Sequence, residues 1–105
     1  MNSAIIVAAG KGTRFGAEKP KQFLEIAGKP LIVHTLEKFE NCPSIDEIVL
    51  VLSSDEIENF QNLSENYNFK KLKKFAAGGK TRAESVFKGL RAVDEKCEIV
   101  AVHDG

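Results

Sequence analysis

The sequence predicts an α/β fold with a mostly parallel sheet and flanking helices. Apolar runs rich in β-branched residues, the first of them without polar alternation, predict strands. Segments with helical spacing lie between them, and two open on a capping-box pattern. Strands and helices that alternate in this way form right-handed βαβ units. Because ligands bind beyond the carboxyl ends of parallel strands, we expect a site at that edge of the sheet.

The first half of the chain predicts one buried strand, a long loop and one helix. Residues 5–7 form the strand, and an irregular loop follows from residue 10 to about residue 21. A short extended piece occupies 23–27. Pro30 then fits the first turn of a helix that ends near residue 40. The residues predicted on its inner face are Ile32, Leu36 and Phe39.

The second half predicts three more strands and two more helices. The strands are expected at 47–52, 72–77 and 98–102. Ser53 with Glu56, and Thr81 with Glu84, have capping-box spacing and begin the two helices, the first of which ends near residue 66. The inner faces are predicted to carry Ile57, Phe60 and Leu63 in the first, and Val86, Leu90 and Val93 in the second.

Composition limits the possible functions. The chain has 105 residues, enough for one domain, and its 15 Lys and Arg balance its 15 Asp and Glu. A nucleic-acid-binding domain usually has a basic excess, and no apolar run here could span a membrane. Cys42 and Cys97 are far apart without metal-ligand spacing, which suits a reducing compartment and half-buried thiols. We therefore expect a cytoplasmic protein with no nucleic-acid or membrane partner.

The loop after the first strand is the most informative segment. Glycines in such a position let backbone N–H groups approach a ligand, and clustered cations favour a polyanion such as a nucleotide. The alternative is a surface loop whose lysines serve solubility, but long loops without secondary structure are uncommon unless they have a function. The residues that carry this argument are Gly10, Lys11, Gly12, Arg14, Lys19 and Lys21.

Spacing argues against two well-known phosphate-binding loops. A P-loop has Ser or Thr directly after its Gly-Lys pair, whereas Gly12 follows Lys11 here. A dinucleotide fingerprint opens a helix directly after its glycines, and Pro20 falls where that helix would run. The loop therefore belongs to another class.

Three motifs occur in a fixed order along the chain. They are AAGKGTR at 8–14 with PKQ at 20–22, GGxxRxxSV at 78–86, and VHD at 102–104. The first resembles the loop of sugar-phosphate nucleotidyltransferases in general. All three together resemble the cytidylyltransferases that act on 2-C-methyl-D-erythritol 4-phosphate in the non-mevalonate isoprenoid pathway. The resemblance covers the whole chain and implies a Rossmann-like nucleotidyltransferase fold.

The resemblance also implies a reaction and a site. CMP would pass from CTP to methylerythritol phosphate, a sugar-alcohol phosphate, with release of pyrophosphate. Arg14 and Lys21 match the catalytic positions, where cations hold the triphosphate and stabilise charge at the reacting phosphorus. Asp104 matches the ligand of Mg²⁺ or another divalent cation. The matching nucleotide-binding positions are Ala8, Ala9, Gly10, Lys11, Gly12, Gly78, Gly79, Arg82 and Ser85.

Two of these residues have a second interpretation on sequence grounds. Arg82 either shapes the base pocket or is simply a polar residue in the first turn of its helix. Asp104, taken without the other motifs, is an ordinary turn aspartate at the end of a strand.

The chain also departs from the family pattern. Family members are longer, form homodimers and continue after His-Asp with Ala-Ala-Arg-Pro, whereas Gly105 follows Asp104 here. We therefore expect residues 1–105 to be the truncated, N-terminal CTP-binding portion, with little activity alone and an unprotected edge strand. Three alternatives stay open. One is a ribitol 5-phosphate cytidylyltransferase, whose first motif tends to read Ala-Gly-Gly. The others are a non-catalytic nucleotide-binding α/β module and a purely structural α/β domain with no ligand.

Overall fold

A computed structural model describes residues 1–8, 25–26 and 29–104. The predicted loop at residues 10–21 lies outside the described residues. Along the chain the elements are β1 (Asn2–Val7), β2 (Glu25–Ile26), β3 (Lys29–Pro30), α1 (Leu31–Glu40), β4 (Glu47–Leu52), α2 (Ser54–Ser64), β5 (Leu72–Ala77), α3 (Arg82–Ala92) and β6 (Ile99–Asp104).

The main sheet confirms the predicted α/β class. Its four strands lie in the order β5-β4-β1-β6, and all three pairings are parallel. The short strands β2 and β3 form a separate antiparallel pair. The order places β1 and β4 in the centre and leaves β5 and β6 at the two edges, so β6 is the exposed edge strand that the sequence predicted.

The core lies on both faces of β1 and β4. Every residue of β4 is buried, as expected for a central parallel strand. One face packs against α1 and α2 through Ile32, Leu36 and Phe60, as predicted. The other face packs against α3 and contains Ile5, Val7, Val49 and Val51. Within the described parts of the chain, no helix is both long and apolar enough to cross a membrane.

Two predicted boundaries were wrong. The last strand continues to Asp104 instead of ending at residue 102, because its pairing with β1 runs as far as Val7. Pro30 belongs to β3 and not to the helix, which begins at Leu31. A two-residue strand in a two-stranded ribbon tolerates proline, since few ladder hydrogen bonds depend on its missing N–H.

The packing of α3 differs from the predicted amphipathic face. Leu90 was expected to be buried but is 43% exposed, whereas Ser85 and Gly89 are buried. A Cβ at Gly89 would lie 2.6 Å from Ile5 Cγ2 and 3.0 Å from Val51 Cγ2. The helix thus lies close to the sheet at Gly89, which occupies the buried position that was predicted for its neighbour Leu90.

Only one of the two predicted capping boxes forms its side-chain bond. The Oγ1 of Thr81 accepts a hydrogen bond from the Glu84 N–H at 3.1 Å, as expected. Ser53 occupies the N-cap position of α2, but its side chain makes no capping bond. The backbone carbonyl of Ser53 instead accepts from the Glu56 N–H at 2.9 Å.

Candidate functional site

The carboxyl ends of the four parallel strands meet at one edge of the sheet. Val7 pairs with Val51 of β4 and with Asp104 of β6, and Leu52 pairs with Ala77 of β5. Two backbone bonds extend this order beyond the strands. The Ala8 N–H donates to the Val51 carbonyl and the Gly78 N–H to the Leu52 carbonyl, each at 2.8 Å. Described residues from all three sequence motifs therefore lie along this edge.

The double-glycine turn is held against the first turn of α3. The Gly79 N–H donates to Ser85 Oγ at 3.1 Å, and the Lys80 N–H donates to Glu84 Oε2 at 3.4 Å. A Cβ at Gly79 would lie only 2.3 Å from the Cβ of Glu84. Glycine is required at this position because Glu84 occupies the space that a side chain would need.

Glu84 is a supporting residue that the sequence analysis did not assign to the site. Its capping-box spacing was recognised, but that pattern predicts only a bond within the start of the helix. Contact with the turn at Gly79 depends on how the preceding strand delivers the chain to α3. No local pattern contains that information.

Ser85 is in a position to act on both the turn and a ligand. It is 3% exposed, and its hydroxyl oxygen accepts the Gly79 N–H. A hydroxyl that accepts in this way can still donate its own proton. The structure therefore places a potential donor beside the turn that sequence analysis assigned to the base pocket.

Arg82 contacts Asp104, an arrangement that neither sequence interpretation foresaw. Its Nε donates to Asp104 Oδ1 at 2.9 Å, joining the first turn of α3 to the last residue of β6. The two side chains are 59% and 65% exposed. Asp104 is the last residue of β6 and pairs with Val7 of β1, so it lies at the end of the strand, as both sequence interpretations expected.

The donor chemistry at this edge fits Mg²⁺ bound together with phosphates. Mg²⁺ usually takes one or two protein carboxylates and fills its other positions with water and substrate oxygens. Asp104 is one such exposed carboxylate, and among the described contacts only its Oδ1 has a partner. No group of three or more His, Cys, Asp or Glu side chains suited to a metal occurs within residues 1–8, 25–26 and 29–104. The described residues therefore suit a cation that arrives with a nucleotide better than one held by the protein alone.

The other predicted site residues fall outside the described part of the chain. Arg14 and Lys21, the predicted catalytic residues, belong to this group, as do Ala9, Gly10, Lys11 and Gly12. Ala8 is described and is 6% exposed at the end of β1.

Comparison with known proteins identifies the family to which the chain belongs. The sequence model of the family described as "IspD: 2-C-methyl-D-erythritol 4-phosphate cytidylyltransferase" matches residues 2–105. The chain belongs to this family. This confirms the resemblance noted from the three sequence motifs.

Two curated relatives and one solved structure are similar to this chain. A 2-C-methyl-D-erythritol 4-phosphate cytidylyltransferase of Clostridium botulinum is 50% identical over 98% of this chain and 45% of its own length. That of Clostridium tetani is 51% identical over 99% of this chain and 42% of its own length. Of the solved structures, 4-diphosphocytidyl-2C-methyl-D-erythritol synthase of Anaerococcus prevotii superimposes with a TM-score of 0.79 at 34% identity, over 97% of this chain and 41% of that chain. This chain spans less than half the length of the curated relatives it matches.

Proposed function

We propose that this chain forms the CTP-binding part of an enzyme that transfers CMP from CTP to 2-C-methyl-D-erythritol 4-phosphate, with release of pyrophosphate. The observation that supports this most directly is the convergence of three family motifs on one sheet edge, through Ala8, Gly78 and Asp104. Family membership supplies the reaction class. The proposal rests on both.

The transfer step is an attack by an acceptor phosphate oxygen on the α-phosphorus of CTP. The new bond is O–P, the bond that breaks joins the α-phosphorus to the bridging oxygen, and pyrophosphate leaves with the bonding electrons. In this proposal Arg14 and Lys21 hold the triphosphate and stabilise the charge that develops at the α-phosphorus. Asp104 would hold the divalent cation, which neutralises phosphate charge when bound.

The base would lie against the double-glycine turn. Gly78 and Gly79 present backbone without side chains, and Ser85 can donate its hydroxyl proton to an acceptor on the pyrimidine edge. Glu84 lies against the turn at Gly79. Family membership favours cytosine as the base, since the matching family model describes a cytidylyltransferase.

Nucleotide selectivity tests the proposal in the purified chain. We expect CTP with Mg²⁺ to raise the melting temperature more than UTP, ATP or GTP does. Gly79→Ala should abolish this shift, because the added Cβ collides with Glu84 and displaces the turn. Lys73→Ala, at an exposed position of β5, is the control and should keep the shift. Equal shifts for all four nucleotides, or none, would contradict the proposed base pocket.

Turnover tests the reaction itself. The 105-residue chain alone is expected to release little or no pyrophosphate from CTP and methylerythritol phosphate. A chimera that adds the remaining part of the C. botulinum relative should be active, and Arg14→Ala or Lys21→Ala should lower its kcat by about 10²–10³. Preference for ribitol 5-phosphate would favour the alternative acceptor. Binding of CTP without turnover in the chimera would favour a non-catalytic module.

Two further expectations belong to this proposal. The free, half-buried Cys42 and Cys97 support a reducing, cytoplasmic location. The homodimer implied by the family resemblance stays a prediction for the full-length protein, and sedimentation velocity would test it.

A further inference from the structure

The contact between Arg82 and Asp104 is the least explained feature of the site. It joins residues 22 positions apart through a single 2.9 Å bond between Arg82 Nε and Asp104 Oδ1. Both side chains are more than half exposed, and an exposed ion pair contributes only about 0–1 kcal/mol to stability. Its main consequence is therefore local: it fixes the direction of the carboxylate and places a permanent positive charge beside it.

This positive charge acts in opposite directions on two kinds of ligand. A free divalent cation that approaches Asp104 is repelled by the guanidinium, because like charges at this distance raise the free energy even near water. A divalent cation bound to a nucleoside triphosphate belongs to a complex with net negative charge. The same guanidinium attracts that complex, and Asp104 Oδ2 is still available to coordinate the metal.

We propose that Arg82 is a positioning residue for Asp104, which makes the site select the metal–nucleoside triphosphate complex over the free metal ion. The guanidinium holds Oδ1, so Oδ2 is the carboxylate oxygen that would coordinate the metal. This inference rests on the proposed function and adds a role for Arg82 that differs from shaping the base pocket.

Binding of Mn²⁺ as a spectroscopic substitute for Mg²⁺ tests the inference. Electron paramagnetic resonance measures free Mn²⁺ directly, so the dissociation constants of Mn²⁺ alone and of Mn²⁺ with CTP can both be determined on the purified chain. Arg82→Ala is expected to bind Mn²⁺ alone several-fold more tightly and Mn²⁺–CTP several-fold more weakly. The dissociation constant of Mn²⁺ alone, divided by that of Mn²⁺–CTP, should therefore fall by about tenfold or more.

Three further variants separate the effect of the Arg82 charge from its effect on the Asp104 carboxylate and from the loss of any positive charge on α3. Arg82→Lys keeps the charge, so its affinity for Mn²⁺ alone should match that of the unaltered chain, with an intermediate loss for Mn²⁺–CTP. Arg91→Ala removes the same charge from α3, about 13 Å further along the helix axis, and should leave both constants unchanged. In an Asp104→Asn background, Arg82→Ala should change the ratio much less, since the carboxylate that it positions is gone and only the direct interaction of the guanidinium with the ligand remains.

The outcomes distinguish this inference from the proposed function. If the unaltered chain binds Mn²⁺–CTP but Arg82→Ala behaves like Arg91→Ala, the selecting role is wrong and the proposed function stands. An equal weakening of both constants, accompanied by a lower melting temperature, would show that Arg82 only supports the fold. If the unaltered chain does not bind Mn²⁺–CTP, the proposed function fails and this inference fails with it.

Discussion

The tripeptide Glu-Ile-Val occurs twice, at the start of β4 and at the start of β6, with opposite outcomes. At residues 47–49 all three side chains are buried, and Ile48 is 0% exposed. At residues 98–100 the isoleucine, Ile99, is 63% exposed, and the Glu98 side chain is 79% exposed. Identical local sequence therefore does not determine depth in this sheet.

The two glutamates show what the difference means energetically. Glu47 is 1% exposed, and its Oε1 accepts from Ser3 Oγ at 2.9 Å and from the Asp94 N–H at 3.1 Å. Lys74 Nζ lies 3.4 Å from its Oε2. A buried carboxylate requires such partners. Glu98 is exposed to solvent, and its carboxylate lies 3.4 Å from the N-terminal ammonium.

The largest difference in stability between the two segments is expected at their isoleucines, Ile48 and Ile99. Ile48→Ala should destabilise the chain by about 2–5 kcal/mol, because it removes fully buried methyl groups and leaves a cavity. Ile99→Ala should cost less than about 1 kcal/mol, since most of that side chain is already in water. Urea denaturation of both variants measures the difference. Similar losses would mean that β6 is covered in solution.

Replacing the two glutamates should also destabilise the chain more at the buried position than at the exposed one, by a smaller margin than for the isoleucines. Glu47→Ala is expected to cost about 1–3 kcal/mol, because Ser3 Oγ and the Asp94 N–H lose their acceptor. The matched variant, Glu98→Ala, should change the free energy of unfolding by no more than about 0.5 kcal/mol. The same denaturation assay applies. A neutral Glu47→Ala would show that water replaces the carboxylate at this site.

The close approach of α3 to the central strands can be tested at Gly89. Overpacking against Ile5 and Val51 costs about 1–3 kcal/mol, and the better helix propensity of alanine returns about 1 kcal/mol. Gly89→Ala should therefore show a net loss of about 1 kcal/mol by thermal denaturation. Lys88→Ala, at an exposed position of the same helix, is the control and should be nearly neutral. A stabilised Gly89→Ala would indicate that the helix can move outward.

Substitutions on the outer edge of β6 are expected to have the smallest effect on stability. Self-association of the chain is the better measurement there. Within the described sheet β6 is paired on one side only, and such an edge strand with exposed Ile99 and Val102 is a template for pairing with another chain. Ile99→Lys should change stability by less than about 0.5 kcal/mol but lower self-association in sedimentation velocity. Phe87→Lys places the same charge on the exposed face of α3 and should have the weaker effect if the strand edge is responsible.

Much of the fold was predictable because its elements have strong local patterns. The strands at 47–52 and 72–77 and the inner face of α1 were confirmed without change. Leu90 was placed wrongly because helical periodicity assumes that the apolar side faces the sheet. Val86 and Val93 of the predicted face do pack against the core, but at the next position Gly89, and not Leu90, lies against Ile5 and Val51.

For the candidate site, the sequence predicted the edge of the sheet but not the side-chain contacts there. The family resemblance predicted roles for Gly79, Ser85 and Asp104, and these roles stay predictions. The rule that parallel strands present their carboxyl ends together predicted a shared edge, and the structure places the three residues along it. The Arg82–Asp104 contact was not predictable, since it joins side chains from two elements whose relative position depends on sheet order. The support that Glu84 gives to Gly79 was missed for another reason: a capping box predicts a bond within the start of the helix and not the path of the chain from β5 into α3.

The sequence by itself determined which segments are strands and helices, which family the motifs resemble, and which end of the sheet carries them. These properties follow from side-chain periodicity, turn residues and capping, all of which act over a few positions. Only the tertiary structure decided that one Glu-Ile-Val segment lies in the centre and the other at the edge. Strand pairing is made by backbone groups that every residue shares, so the order of strands depends on long-range packing and not on the local residues.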